Sequence, residues 1–132
     1  MQWIILIGNE NFKLSDIKNI EHFGKNKVAD VDSNRFVIDY ENGHVFYDYV
    51  EDLINDYEEE ERLLIPFLKP NFIMMIYSSE ELMEEILLKE NFPKGIYIDN
   101  DLGLMLPIEE FIKLIKDKRK IVRKLLSTFR KK

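Results

Sequence analysis

Two unbroken apolar runs constrain the fold of this chain more than any other feature of its sequence. Residues 3–7 read Trp-Ile-Ile-Leu-Ile and residues 72–77 read Phe-Ile-Met-Met-Ile-Tyr, and turn-forming residues bound both runs. A strand that is apolar at every position needs cover on both faces. We therefore predict two central strands in one sheet. Because 132 residues is an ordinary length for one core, we also predict a single domain over residues 1–132.

The pair Asn42-Gly43 separates two runs in which apolar and polar residues alternate, a pattern that predicts a β-hairpin. Asn-Gly is the pair that a two-residue type I′ turn prefers. A turn centred there would place six apolar residues opposite one another on one buried face: Tyr40 with Val45, Ile38 with Tyr47, and Phe36 with Tyr49.

Helical periodicity fills most of the remaining chain. One helix is predicted within residues 15–24, one over 51–64 with Leu64 on its buried side, one capped by Ser78, and one that begins at Pro107. Short strands are expected at 96–98 and 104–106. The strand at 72–77, the helix capped by Ser78 and the strand at 96–98 would then form a parallel crossover. We predict an α/β fold, with α+β as the alternative: a mixed sheet with an antiparallel hairpin and a parallel βαβ unit, flanked by about four helices.

Charge is distributed unevenly along the chain. Residues 113–132 contain ten of the nineteen basic residues and one acid, Asp117, which gives this segment a net charge of +9. Residues 1–112 contain the other nine basic residues and twenty-four acids, a net charge of −15. Charge separation acts on partners and association rates rather than on the fold. It is therefore the feature of the sequence that bears most directly on function.

The densest acidic stretch has no basic residue between positions 47 and 61. It is either a solvated face or a docking surface for a basic partner, because carboxylates among tyrosines would supply both long-range attraction and aromatic anchors. The docking hypothesis names eight partner-binding residues: Asp48, Glu51, Asp52, Asp56, Glu58, Glu59, Glu60 and Glu61.

Residues 119–132 are predicted to form a basic amphipathic helical tail that projects from the domain. The apolar stripe of the last helix is interrupted by charged residues at 116–120 and then resumes. The resumed stripe needs cover from its own domain, a second copy, a membrane surface or a protein partner. The basic tail would be attracted to the acidic residues 1–112, here called the body, of a second copy. We therefore predict a homodimer whose contact residues are Ile121, Val122, Leu125, Leu126 and Phe129.

No motif specifies catalysis, so we predict no catalytic residue, no cofactor and no metal site. The acidic spacing at residues 30–41 imitates an EF-hand calcium loop, but Arg35 stands where that loop requires glycine. The alternative is a small enzyme whose site lies at strand ends near Gly8, Ser78 and Asp99, where α/β sheets often place ligands.

The sequence favours a non-enzymatic protein-binding domain that docks a basic partner, in the manner of small acidic immunity or antitoxin proteins or of a regulatory protein. A basic nuclease-like enzyme would be a suitable partner, since its active site must be positively charged to hold phosphates. An adaptor that binds nucleic acid or a membrane surface through the basic tail is a further alternative, although the acidic body would repel nucleic acid. Without cysteine or a long apolar run, we expect a cytoplasmic protein with no membrane span.

Overall fold

The computed structural model describes residues 1–100 and 103–130 of the chain. At its centre is one sheet of seven strands, in the order β2-β3-β4-β5-β1-β6-β7. Every neighbouring pair is antiparallel. The strands are β1 (Gln2–Gly8), β2 (Asn26–Asp32), β3 (Arg35–Tyr40), β4 (Gly43–Tyr49), β5 (Asn71–Tyr77), β6 (Tyr97–Asp99) and β7 (Met105–Pro107).

One long helix and several small ones accompany the sheet. The long helix is α4, which runs over 23 residues at the C-terminal end of the described chain. The helices are α1 (Ser15–Lys18), a 3-10 helix (Leu53–Asp56), α2 (Glu59–Arg62), α3 (Glu80–Leu87) and α4 (Ile108–Arg130).

The two apolar runs lie side by side in the sheet, so the prediction that both are interior strands is confirmed. β1 pairs with β5 along its whole length, from Gln2 opposite Tyr77 to Gly8 opposite Asn71. On its other side β1 pairs with β6. A neighbour on each side makes β1 an interior strand, although β6 pairs with only three of its residues, and side chains from both of its faces are buried.

The predicted α/β class, with its parallel βαβ unit, is wrong. α3 does connect β5 to β6, but β1 lies between these two strands and is antiparallel to both. No two neighbouring strands among the described residues are parallel. The physical reason is that β1 is apolar on both faces and therefore takes the interior position, which the local pattern of residues 72–98 does not show. The pairing of β6 with β7 is confirmed; residues 101 and 102 of the turn between them lie outside the described residues.

The hairpin of β3 and β4 has the predicted buried face but a different pairing. Ile38 lies opposite Val45 and Phe36 opposite Tyr47, so the partners are shifted by two residues. Five of the six predicted side chains are buried, and Tyr49 is half-buried. The loop is Glu41-Asn42, because Gly43 already belongs to β4 and faces Tyr40.

Close packing explains the position of Gly43. Its φ is +150°, and a Cβ atom there would lie 2.3 Å from Ser78 Oγ. The hydroxyl oxygen of Ser78 accepts a hydrogen bond from the backbone N–H of His44 at 3.0 Å, which ties the end of β5 to β4. Ser78 therefore does not cap α3. That role belongs to Ser79, whose Oγ accepts from the N–H of Leu82 at 3.1 Å.

The two faces of the sheet are covered by different parts of the chain. The first face packs against α3 and the first half of α4, whose buried side chains include Leu82, Leu87, Ile108 and Ile115. The second face is covered by residues 50–70, which pack on Ile5, Ile7 and Phe72.

Two tyrosines of the first face are buried as neutral groups. Burial raises the pKa of Tyr47 well above its ordinary value, and the neighbouring Tyr40 adds to the shift. Burial, together with the nearby carboxylate of Glu85, raises the pKa of Tyr40 to about 12. In the folded chain both hydroxyls therefore hold their protons at a pH where those of an unfolded chain ionise.

Alkaline pH should destabilise the fold through these tyrosines. Their contribution is complete below about pH 10, where unfolded tyrosine ionises, and is lost as pH rises through the higher pKa of the folded state. Above about pH 10, the free energy of unfolding falls with pH, and we expect this fall to be about 1.4 kcal/mol per pH unit smaller in Tyr47→Phe than in wild type. Urea titrations at increasing pH measure this. Tyr49→Phe, at a half-buried position of the same strand, is the control; equal slopes for wild type and Tyr47→Phe would contradict the prediction.

Candidate functional site

Residues 50–70 are held against the second face by a few apolar side chains. The ring of Tyr57 stacks on Phe72 with 5.6 Å between centroids, and its hydroxyl donates a hydrogen bond to Asp99 Oδ2 at 2.8 Å. Ile65 is buried in the same cluster. The same segment adds three half-buried side chains to this cluster: Leu53, Ile54 and Phe67.

The single helix predicted for residues 51–64 is wrong, because the helical phase is lost at two points. Asp52 has a φ of 57°, and Tyr57 is extended, so only the 3-10 helix and the short α2 form. Ile65 then turns inward while its leucine neighbours turn outward. The exposed fractions are 83% for Leu63, 59% for Leu64, which was predicted to be buried, and 97% for Leu68.

A run of four glutamates precedes these leucines in the chain. The backbone N–H of Glu58 donates to Glu61 Oε1 at 2.9 Å, and Arg62 Nε donates to the carbonyl of Tyr57 at 3.1 Å. These bonds hold α2 in place, and all four glutamates are exposed. We call the set Glu58, Glu59, Glu60, Glu61, Leu63, Leu64 and Leu68 the acidic–leucine surface.

The other four predicted partner-binding residues divide into two groups. Glu51, Asp52 and Asp56 are exposed. Asp48 lies in β4 and forms a bidentate ion pair with Arg35, in which both N–O distances are 2.5 Å. This hydrogen bonding raises the pKa of the Arg35 guanidinium. Asp48 is therefore satisfied within the sheet and does not belong to the acidic–leucine surface.

A second charged site joins α4 to α3. Glu84 of α3 is buried and accepts a hydrogen bond from Lys118. Its Oε1 lies 3.7 Å from Arg119 Nη2. The bond to Glu84 is the main reason that the pKa of Lys118 is raised; Glu80, at 3.6 Å, adds to the shift. Lys118 and Arg119, which belong to the charged interruption of the apolar stripe, thus contact α3. The helix α4 continues over these residues without a break.

An open cleft of about 500 Å³ surrounds this ion pair. Two of its acidic side chains, Glu81 and Glu85, form no ion pair within the described part of the chain. The cleft is lined by Glu81, Glu84 and Glu85 of α3 and by Lys118, Arg119, Val122 and Arg123 of α4.

Beyond the cleft, which Val122 and Arg123 still line, α4 extends away from the body of the protein. Residues 120–129 are exposed at every position, and we call them the α4 overhang. Within the part of the chain that the structure describes, its apolar stripe is largely uncovered, although Val122 lines the cleft beside α3. The predicted dimer-contact side chains are exposed by 49% to 70%: Ile121, Val122, Leu125, Leu126 and Phe129.

The three residues of the alternative enzyme site lie in different parts of the sheet. Because β1 and β5 are antiparallel, Gly8 lies opposite Asn71, whereas Ser78 follows β5 at the other end of the sheet. Asp99 lies opposite Ile5, near the middle of β1. The structure therefore does not bring these residues together.

The calcium-like pattern is divided between a strand and a turn. Asp30 pairs with Lys18 at 2.6 Å, and Asp32 Oδ1 accepts from the N–H of Asn34 at 2.8 Å in the turn between β2 and β3. Residues 1–100 and 103–130 contain no cluster of three side chains suited to hold a metal ion. Over the same ranges, no helix is long and apolar enough to cross a membrane.

No protein-family model, curated protein or solved structure matches this chain. Function must therefore be inferred from the two surfaces themselves. Sequence reasoning missed Leu63 and Leu68, although one signal was present: Leu68 lies between Pro66 and Pro70, where neither helix nor strand would bury it.

We expect loss of the Glu84 carboxylate to destabilise the junction of α3 and α4. Glu84→Gln should lower the free energy of unfolding by about 1–2 kcal/mol, since it removes a buried charge from two cations that remain partly exposed. Urea denaturation of dilute protein measures the change. Glu81→Gln, which removes an exposed charge from the same helix, should stay within about 0.5 kcal/mol of wild type. Equal effects of the two substitutions would contradict a structural role for the ion pair.

Proposed function

We propose that this chain is a non-enzymatic protein-binding domain that docks a basic partner through the acidic–leucine surface. The observation that carries the proposal is the exposure of Leu63, Leu64 and Leu68 close after a run of four exposed glutamates, with only Arg62 between the run and Leu63. Scattered exposed leucines are ordinary, but three within six positions are a candidate contact site.

The chemistry of this surface suits recognition of a protein. Burying each leucine against a partner would contribute about 1.5–3 kcal/mol, enough for an apolar anchor. The four glutamates that precede the leucines would add negative charge near the anchor, which accelerates encounter with a positive partner. An exposed surface of this kind suits a protein better than a small molecule, which prefers an enclosed cavity.

The partner that fits is a protein with an apolar recess among lysine and arginine side chains. A nuclease-like enzyme is one such protein, because its active site must be positive to hold phosphates. The proposed role is then that of a small acidic immunity, antitoxin-type or regulatory protein in the cytoplasm. This step rests on analogy with a class of proteins.

The test begins with the full-length chain as bait in an extract of its native cell, followed by binding kinetics with the purified partner. Glutamine at positions 58–61 should slow association about ten-fold at low salt and flatten its salt dependence. Glutamine preserves the capping hydrogen bond of α2. Four exposed glutamates elsewhere provide a control with the same change in charge: Glu10, Glu21, Glu41 and Glu90.

Substitution of the leucines should change mainly the rate of dissociation from the partner. Leu63→Gln with Leu68→Gln should raise the dissociation rate by about thirty-fold and leave the association rate nearly unchanged. Wild-type kinetics in both sets of variants would overturn the proposal. A reproducible catalytic activity that is lost on substitution of Ser78 or Asp99 would favour the enzyme alternative instead.

A further inference from the structure

Residues 50–70 cover only the part of the second face around Ile5, Ile7 and Phe72. Several apolar side chains of the same face lie outside both buried clusters and outside the side chains packed against them. All of them are half-buried. They are Val37, Phe46, Met74 and Ile76. The second face therefore has an uncovered apolar part.

The uncovered side chains form a row across neighbouring strands. Val37 of β3 lies opposite Phe46 of β4, and Phe46 lies opposite Ile76 of β5. On the other side of Ile76 lies Trp3 of β1, which is also half-buried. Side chains of opposite residues stand on one face about 5 Å apart, so the row is continuous. We call Val37, Phe46, Ile76 and Trp3 the sheet row.

A solvated face of an antiparallel sheet ordinarily presents polar side chains. In the sheet row, four neighbouring strands instead present apolar side chains between polar ones: Asp39 and His44 precede it, and Arg35 and Asp48 follow it. A continuous apolar patch with a polar rim is typical of a contact site for another protein.

Trp3 connects the sheet row to the acidic–leucine surface. It packs against the cluster that contains Tyr57 and Ile65. Tyr57 directly precedes Glu58, and Ile65 directly follows Leu64. The two surfaces therefore border on each other at the second face.

The acidic–leucine surface is too small to form a whole interface. It has seven residues, whereas a stable interface uses about 20–30 residues of each partner. A protein that docks there must contact neighbouring surface as well. The sheet row is an apolar part of that neighbourhood, and its aromatic residues Trp3 and Phe46 are of the class enriched in interfaces.

The charges beside the sheet row suit the same basic partner. Arg35 is paired with Asp48, and its guanidinium carbon lies 5.3 Å from the centre of the Phe46 ring. Three exposed charged residues beside the row form no ion pair within the described part of the chain: Asp32, Asp39 and Lys27. Two acids against one base add to the four glutamates, so the rim does not oppose a basic protein.

We propose that the basic partner docks across both surfaces at once, with an apolar stripe on the sheet row and cations beside the glutamates. This inference rests on the proposed function and specifies the chemistry of its partner. The docking element is an amphipathic segment that has large apolar side chains on one side and lysine or arginine next to them. Trp3, at the junction of the two surfaces, becomes covered in the complex.

A synthetic amphipathic helix of leucine and lysine is a probe for this contact. Trp3 is the single tryptophan of the chain, so fluorotryptophan incorporated into the full-length protein gives one fluorine NMR resonance. We expect the peptide to bind, the resonance to shift, and its sensitivity to exchange of water for heavy water to be lost. An unchanged resonance at saturating peptide, or no binding at about 1 mM peptide, would contradict the proposed contact.

Threonine variants locate the contact, because threonine suits a strand. Val37→Thr with Phe46→Thr should weaken peptide binding at least about ten-fold. Circular dichroism and urea denaturation establish that the variant is folded; Ile76→Thr in the same row replaces it otherwise. The matched control is Val28→Thr with Val31→Thr on β2, where Val28 lies opposite Ile38 of the first face. Its affinity should stay within about two-fold of wild type.

Leu63→Gln with Leu68→Gln distinguishes failure of this inference from failure of the proposed function. Weaker binding in both this variant and the row variant, with the control unchanged, supports both. Weaker binding in the leucine variant alone removes the sheet row and leaves the proposed function. Weaker binding in the row variant alone removes the acidic–leucine surface as the docking site, and wild-type binding in both variants removes both.

Discussion

The structure depends on β1, a strand that cannot face water on either side. Its side chains Ile4 and Leu6 point to one face of the sheet and Ile5 and Ile7 to the other, and all four are buried. Burial of each contributes about 1.5–3 kcal/mol, so two separate layers are needed. The chain supplies one layer from α3 and α4 and the other from residues 50–70.

The two layers are built differently, and each leaves a surface exposed for a different reason. α4 is regular and longer than the body it covers, so its far end carries its apolar stripe into solvent. Residues 50–70 are irregular and are held by a few anchors such as Tyr57 and Ile65. In an irregular segment the side chains between anchors need not face inward, and this accounts for the exposed leucines.

The separation of charge along the sequence is partly neutralised within the molecule. Lys118 and Arg119 of the basic segment contact Glu80 and Glu84 of α3, so part of the positive charge holds the helix to the body. Breaking this contact would leave Glu84 as an unpaired buried charge. The rest of the basic helix and the acidic–leucine surface stay exposed, next to opposite faces of the sheet.

The sequence by itself determined the interior strands, the buried face of the hairpin and the apolar stripe of the basic helix α4, because each follows from side-chain periodicity within one segment. Only the tertiary structure decided that β1 lies between β5 and β6, that Gly43 packs against Ser78 instead of forming a turn, and that Leu63 and Leu68 face outward. These outcomes depend on contacts between segments distant in sequence. A local pattern reports which side of an element is apolar, but it does not report which other element will cover that side.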